Sequence, residues 1–62
     1  MTNERFMQIL ECADILEKEG MSILEDSVNF SKALTERFGV KIEEIIEFYL
    51  GLYGLIEELS GK

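Results

Sequence analysis

The 62-residue sequence contains no histidine, no proline and no tryptophan, and Cys12 is its single cysteine. One cysteine cannot form a disulfide within the chain, and without histidine there is no Cys/His set to hold a zinc ion. The chain also lacks the imidazole that most often acts as a general base near neutral pH. We therefore expect a protein with no catalytic residues, no metal ion and no cofactor.

Basic residues are also scarce, since six Lys and Arg stand against thirteen Asp and Glu, for a formal net charge of −7. Residues 42–61 contain several glutamates and no Lys or Arg at all. A nucleic-acid-binding protein needs a basic surface, because its contacts neutralise phosphates. We expect no nucleic-acid partner and no membrane binding, and a charged partner would be a basic protein. The alternative is that the glutamates only keep a small hydrophobic protein soluble.

The sequence has no long uninterrupted hydrophobic run. Its longest apolar stretch, residues 48–56, contains two glycines. That stretch is far shorter than the ~20 residues that a membrane-spanning helix needs. The first residues also lack the basic segment followed by an apolar one that marks a signal peptide. Together with the lone thiol, these features predict a cytoplasmic protein.

A chain of this length has room for one small domain, and its hydrophobic content of 47% excludes a disordered acidic tail. Apolar residues recur three and four positions apart, which is the spacing of amphipathic helices. We predict a single all-α domain over residues 1–62, with helices at about residues 3–19, 23–38 and 41–59. Gly20 and Gly39 are placed to end the first two helices, because glycine readily adopts the left-handed conformation that follows a helix.

Capping signals support these boundaries. Thr2 is a suitable N-cap for the first helix, and Ser22 with Glu25 matches a capping box for the second. Lys41 is a poor N-cap for the third helix, although two glutamates follow in its first turn, where the helix dipole favours anions. The predicted inward-facing residues are Phe6, Ile9, Leu10, Ala13 and Leu16 in the first helix and Ile23, Leu24, Ser27, Phe30, Ser31, Leu34 and Phe38 in the second.

The third helix has a much wider apolar surface than the other two. At about 100° per residue, its apolar positions span roughly 220°, against about 100° for an ordinary surface helix. Two short helices can hardly cover that arc, and soluble monomers rarely expose a large contiguous apolar patch. We therefore expect a homodimer or higher oligomer formed through this helix; the alternative is a monomer whose first two helices wrap more completely around the third. The predicted self-association interface is Phe48, Tyr49, Leu52, Leu55, Ile56 and Leu59.

Gly51 and Gly54 fall on the polar side of the third helix, outside the predicted core. Each lowers helix stability by about 1 kcal/mol relative to alanine. They mark either a surface that another backbone approaches closely or a break that ends the helix near Leu50. We predict a continuous helix, with a kink allowed at the glycines.

Four glutamates of the third helix form a predicted acidic partner surface: Glu43, Glu44, Glu47 and Glu58. A basic protein is the partner that such a surface attracts. Together with the apolar surface, it favours a non-catalytic interaction module, a small homodimer that regulates or inhibits a basic protein partner.

One alternative function rests on a resemblance to the helix-turn-helix family. The resemblance covers about twenty residues and is carried by Leu34, Phe38, Gly39, Val40, Ile45 and Phe48. It implies a DNA-binding regulator. Against it, the would-be recognition helix presents carboxylates to the DNA phosphates, where such motifs use Arg, Asn, Gln or Ser near the start of the helix.

A second alternative rests on two carboxylate pairs, Glu11 with Asp14 and Glu44 with Glu47. Acidic pairs on facing helices can hold Mg²⁺, which prefers oxygen ligands. The pattern is similar to the paired acidic motifs of the all-α nucleotide pyrophosphatases and implies a Mg²⁺-dependent nucleotide hydrolase. The order of the pairs along the chain is reversed relative to that family, and no nearby Lys or Arg is available to hold a triphosphate.

Overall fold

The computed structural model of the chain describes residues 1–60, and within them it contains three α-helices and no β-strand. The helices are α1 (Asn3–Lys18), α2 (Ser27–Phe38) and α3 (Ile42–Ser60). The predicted all-α architecture of three helices with short connections is therefore confirmed. The ends of α1 and α3 lie within one residue of the predicted positions, whereas α2 begins four residues later than predicted.

Both ends of α1 follow from its local sequence. The Oγ1 atom of Thr2 accepts a hydrogen bond from the backbone N–H of Arg5 at 3.1 Å, which confirms Thr2 as the N-cap. At the other end Gly20 has a φ of +100°, a conformation that side chains with a Cβ rarely adopt. The N–H of Gly20 donates to the carbonyl of Glu17, and that of Met21 donates to the carbonyl of Leu16. This pair of bonds is a Schellman termination.

The predicted start of α2 at residue 23 is wrong. Ser22 does accept a hydrogen bond from the N–H of Glu25 at 3.1 Å, but it caps a separate turn over residues 23–26. In that turn the carbonyl of Ile23 accepts a hydrogen bond from the Tyr49 hydroxyl at 2.8 Å. The turn is thus tied to α3, and the helix begins anew at Ser27. A tertiary contact overrides a local capping signal here.

The link between α2 and α3 is a short turn that starts at Gly39, whose φ is +69°. The next residue, Val40, is buried together with Leu34. The poor N-cap at Lys41 is compensated by Glu44, whose Oε1 accepts a hydrogen bond from the Lys41 N–H at 3.1 Å. The α3 helix continues to Ser60 through both glycines, which confirms the continuous helix. Among residues 1–60, no helix combines enough length and apolar character to cross a membrane.

All three helices and the α2–α3 turn contribute to one small core. Most of the predicted inward-facing residues of α1 and α2 lie in this core or pack against it. Leu24 is an exception, because it is exposed, and Ala33 is buried although it was not among the predicted inward-facing residues. Among residues 42–59 of α3, only Ile45 and Phe48 are buried. The buried residues are Ile9, Ala13, Leu16, Phe30, Ala33, Leu34, Val40, Ile45 and Phe48.

Gly51 lies against the core, contrary to the prediction that kept it outside. A Cβ atom at Gly51 would be 2.9 Å from Cε1 of Phe6, so α1 contacts α3 directly at this position. The Phe6 ring also packs on the Phe48 ring, with 5.2 Å between the ring centroids. Gly54, by contrast, has open space around it. The close approach expected at one of these glycines is made by a side chain of the same protein.

Candidate interaction surfaces

Most of the large apolar side chains of α3 remain exposed in the folded chain. Their exposed fractions range from 43% for Ile56 to 86% for Leu59. Soluble monomers rarely leave so many large apolar residues of one helix in water. The exposed set is Ile42, Ile46, Leu50, Tyr53, Leu55, Ile56 and Leu59.

Four of these residues form one stripe, which we call the groove face: Ile42, Ile46, Leu50 and Tyr53. They lie four, four and three positions apart, a spacing that places them on one side of a helix. The groove face is turned away from α1 and borders an open groove between α2 and α3. It is therefore one apolar side of α3 that its own chain leaves uncovered.

The α2 side of this groove is built from small polar residues. Ser27, Ser31 and Thr35 line it opposite the groove face, together with the exposed Val28 and the side chain of Lys32. Small side chains keep the floor of the groove low and permit the close approach of another helix. The wider part of the groove has a volume of about 480 Å³. An amphipathic helix is the kind of ligand that fits such a surface.

A second apolar surface lies at the end of α3, and we call it the overhang: Leu55, Ile56 and Leu59. These residues continue the side of α3 on which Phe48 and Leu52 meet the core. They are exposed because α1 and α2 do not extend far enough to cover them. An open concavity elsewhere, with a volume of about 860 Å³, is lined by Met7, Ile15 and Ile23 among other residues.

The predicted self-association interface is only partly available on the surface. Phe48 has no exposed area and belongs to the chain's own core, so we remove it from the interface. Tyr49 and Leu52 are half-buried and pack against that core. The remaining members of the predicted set are the three residues of the overhang. The groove face was missed, because only the packed fold shows which side of α3 lies opposite the small residues of α2.

Glu44 cannot belong to a free acidic surface, because Arg5 of α1 already binds it. The guanidinium donates two hydrogen bonds to its carboxylate, at 2.8 Å from Nε and 2.9 Å from Nη2. These bonds, with the one from the Lys41 N–H, lower the pKa of Glu44 to about 2. No local pattern predicts this pair, since Arg5 and Glu44 are 39 positions apart. Glu44 thus joins α1 to the start of α3.

The other three glutamates of the predicted partner surface remain at least partly exposed. The amino group of Met1 lies 2.8 Å from Oε1 of Glu47, so this carboxylate also has a partner within the chain. Glu43 and Glu58 are exposed and take part in no ion pair within residues 1–60. The structure therefore reduces the free acidic surface to Glu43 and Glu58, with Glu47 between them.

The carboxylate pairs behind the hydrolase alternative do not form a shared metal site. In the part of the chain that the structure describes, no three metal-ligating side chains are grouped closely enough to hold an ion. Arg5 and the Met1 amino group occupy the carboxylates of Glu44 and Glu47. Glu43 is exposed in the first turn of α3, which would be the recognition helix of a helix-turn-helix motif. Its carboxylate would repel DNA phosphates, which disfavours the DNA-binding alternative.

Comparison of the chain with protein-family models, with curated proteins and with solved structures finds no match.

Proposed function

We propose that this chain is a non-catalytic protein-interaction module of the cytoplasm that forms a homodimer through α3 and regulates or inhibits a basic protein. The observation that carries the proposal is the exposed apolar surface of α3, with seven large side chains in contact with water. Burying apolar surface contributes roughly 25 cal/mol per Å². Self-association is a common way for a domain of this size to gain that stabilisation.

The total surface of the chain supports this proposal. Its accessible area is 4553 Å². A folded monomer of this mass is expected to expose about 4,100 Å². The chain thus exposes more surface than a compact monomer of its mass, as expected when the last helix extends beyond its neighbours. A typical stable dimer covers about 800 Å² on each partner, so the contact has to include exposed residues beside the groove face as well.

The acidic character of the chain supports a basic partner. Glu43 and Glu58 have no ion pair within the described residues, and the chain carries a net charge of −7. A surface of this sign speeds the approach of a basic protein and repels an acidic one. The partner is therefore expected to bind more weakly as the salt concentration rises.

Sedimentation equilibrium from low to high micromolar concentration tests the self-association. We expect a mass that rises from monomer to dimer, and we expect the double variant Ile46→Glu/Leu59→Glu to remain a monomer. The matched control is Ile15→Glu/Leu24→Glu, which adds the same charge at two residues that are each 46% exposed and lie outside α3. A wild-type chain that stays monomeric throughout, or a control that dissociates equally, would contradict the proposal.

Affinity capture from a lysate of the source organism tests the basic partner. The variant Glu43→Lys/Glu58→Lys should lose a captured basic protein, and so should the wild type at high salt. The control Glu11→Lys/Glu25→Lys makes the same charge change at exposed glutamates of α1 and of the turn before α2. Capture that is insensitive to salt and to the first variant would remove the electrostatic part of the proposal.

A further inference from the structure

The dimer of the proposed function has two candidate contact surfaces on α3, and their shapes differ. The overhang is the convex end of a single helix, whereas the groove face forms one wall of a groove whose floor is made of small α2 residues. Packed helices lie about 8–10 Å apart, and large side chains at the contact prevent the shorter distances. A helix lying in the groove contacts both α2 and α3, while a helix on the overhang contacts α3 alone. The groove therefore buries more apolar surface.

One apolar pair of the groove face, Ile46 and Tyr53, can be placed symmetrically about a point in the middle of α3. Ile42 and Glu57 are equally far from the midpoint between Tyr49 and Leu50, and so are Ile46 and Tyr53. Glu57 lies on this face because it is seven positions beyond Leu50 and eleven beyond Ile46. In an antiparallel helix pair related by a two-fold axis, each position meets its mirror position on the partner. Ile46 then packs on Tyr53 of the partner subunit, and Leu50 lies beside the axis.

Charge distinguishes this orientation from the parallel one. Residues 42–60 contain no basic residue, so a parallel in-register pair sets Glu57 beside Glu57 of the partner subunit. In the antiparallel pair Glu57 instead reaches the far end of the groove, about 22 Å away along the helix. Lys32 lines the groove there, beside Ile42 and Ile46, and it takes part in no ion pair within the described residues. Glu36 lines the same end and opposes the attraction, so the pair selects an orientation and adds little affinity.

We propose that the occupant of the groove is α3 of a second copy of this chain, antiparallel, with the two-fold axis near Leu50 and Lys32 facing Glu57 of the partner subunit. This inference rests on the proposed function, because it requires the chain to self-associate. It makes the dimer a four-helix arrangement in which each α3 lies in the groove of the other copy. The overhang and the acidic surface of Glu43 and Glu58 stay available to another protein.

Cysteine cross-linking tests the orientation, in a Cys12→Ser background that removes the natural thiol. A disulfide forms only when the two Cα atoms come within about 7 Å. We prepare Ile46→Cys and Tyr53→Cys separately, one with a mass tag, and oxidise each alone and in mixture. The antiparallel arrangement predicts a mixed dimer of the two variants and little cross-linking of either one alone. Cross-linking of each variant to itself, with no mixed product, would overturn it in favour of a parallel pair.

A third variant, Leu59→Cys, separates failure of this inference from failure of the proposed function. If Leu59→Cys cross-links to itself and the mixture does not cross-link, the dimer forms through the overhang; the inference is then wrong while self-association stands. If no variant cross-links and sedimentation shows a monomer, both are wrong. Circular dichroism of each variant establishes that it is folded before it is oxidised.

A charge exchange tests the assigned ion pair. Lys32→Glu alone should weaken self-association several-fold, because it places two like charges together, and Lys32→Glu/Glu57→Lys should restore it. The matched control is Lys18→Glu, which changes a lysine of α1 that pairs with Asp14 outside the groove. A double variant that stays as weak as Lys32→Glu would overturn the assigned pairing.

Discussion

Two leucines of α3 lie in opposite environments. Leu52 and Leu59 are the same residue, seven positions apart on one side of the same helix, yet Leu52 packs against the core and Leu59 is largely exposed. The difference arises from the neighbours of α3 rather than from its sequence, since Ser27, the first residue of α2, lines the groove beside Tyr53. An α2 that began at residue 23, as predicted, would extend about 6 Å further along α3. Hydrophobic pattern therefore does not by itself distinguish core from contact surface.

The largest expected effect distinguishes these two leucines directly. Leu52→Ala should lower the free energy of unfolding by about 1–2 kcal/mol, less than the 2–5 kcal/mol typical of a fully buried leucine. Leu59→Ala should change it by no more than about 0.5 kcal/mol, as a surface substitution does. Urea unfolding followed by circular dichroism at low protein concentration measures both. Equal losses for the two variants would show that the end of α3 is covered even in the single chain.

Gly51 and Gly54 allow a second comparison of a covered and an uncovered position of α3, with a smaller expected change in stability. Gly54→Ala should raise the free energy of unfolding by about 1 kcal/mol, because alanine favours the helix and its Cβ meets open space. Gly51→Ala should gain less, or lose stability, because its Cβ would lie 2.9 Å from the Phe6 ring. Thermal unfolding followed by circular dichroism measures both.

A second substitution controls for the cause of this difference. Replacing the ring, in Phe6→Leu/Gly51→Ala compared with Phe6→Leu alone, should restore the helix-propensity gain at position 51. Equal gains for Gly51→Ala and Gly54→Ala in the presence of Phe6 would contradict the close contact between α1 and α3.

The smallest expected effect concerns the ion pair that holds α1 to the start of α3. The folded-state pKa of Glu44 is about 2, below its ordinary value of 4.5, so the charged carboxylate stabilises the fold. That contribution is fully present above the ordinary pKa and is lost as the pH falls from 4.5 towards about 2. Glu44→Gln should therefore lower the melting temperature at neutral pH, and the difference from the wild type should vanish near pH 2.

Glu11→Gln serves as the control for this measurement, since Glu11 is exposed and takes part in no ion pair within residues 1–60. It should leave the melting temperature nearly unchanged throughout the same pH range. A pH-independent effect of Glu44→Gln would show that the hydrogen bonds to its carboxylate contribute no more than those of an amide.

How well the sequence predicts a feature of this fold depends on how far apart in the chain the interacting residues lie. Thr2 and Gly20 were identified correctly, because a cap and a left-handed glycine act within one helical turn. The start of α2 was misplaced, because the Tyr49 hydroxyl, 26 positions away, binds the carbonyl of Ile23. The candidate interface shows the same dependence on range. The sequence predicted that α3 carries the exposed apolar surface, but it placed Phe48 in that surface, whereas Phe48 is buried in the core.

The sequence by itself determined an acidic three-helix chain, the ends of its helices at Gly20 and Gly39, and a last helix with more apolar surface than its neighbours can cover. Only the tertiary structure decided which part of that surface stays exposed and which glutamates remain unpaired. The physical reason is that periodicity and capping depend on residues a few positions apart. Burial and ion pairing depend instead on side chains such as Phe6 and Arg5, which only the packed fold brings to α3.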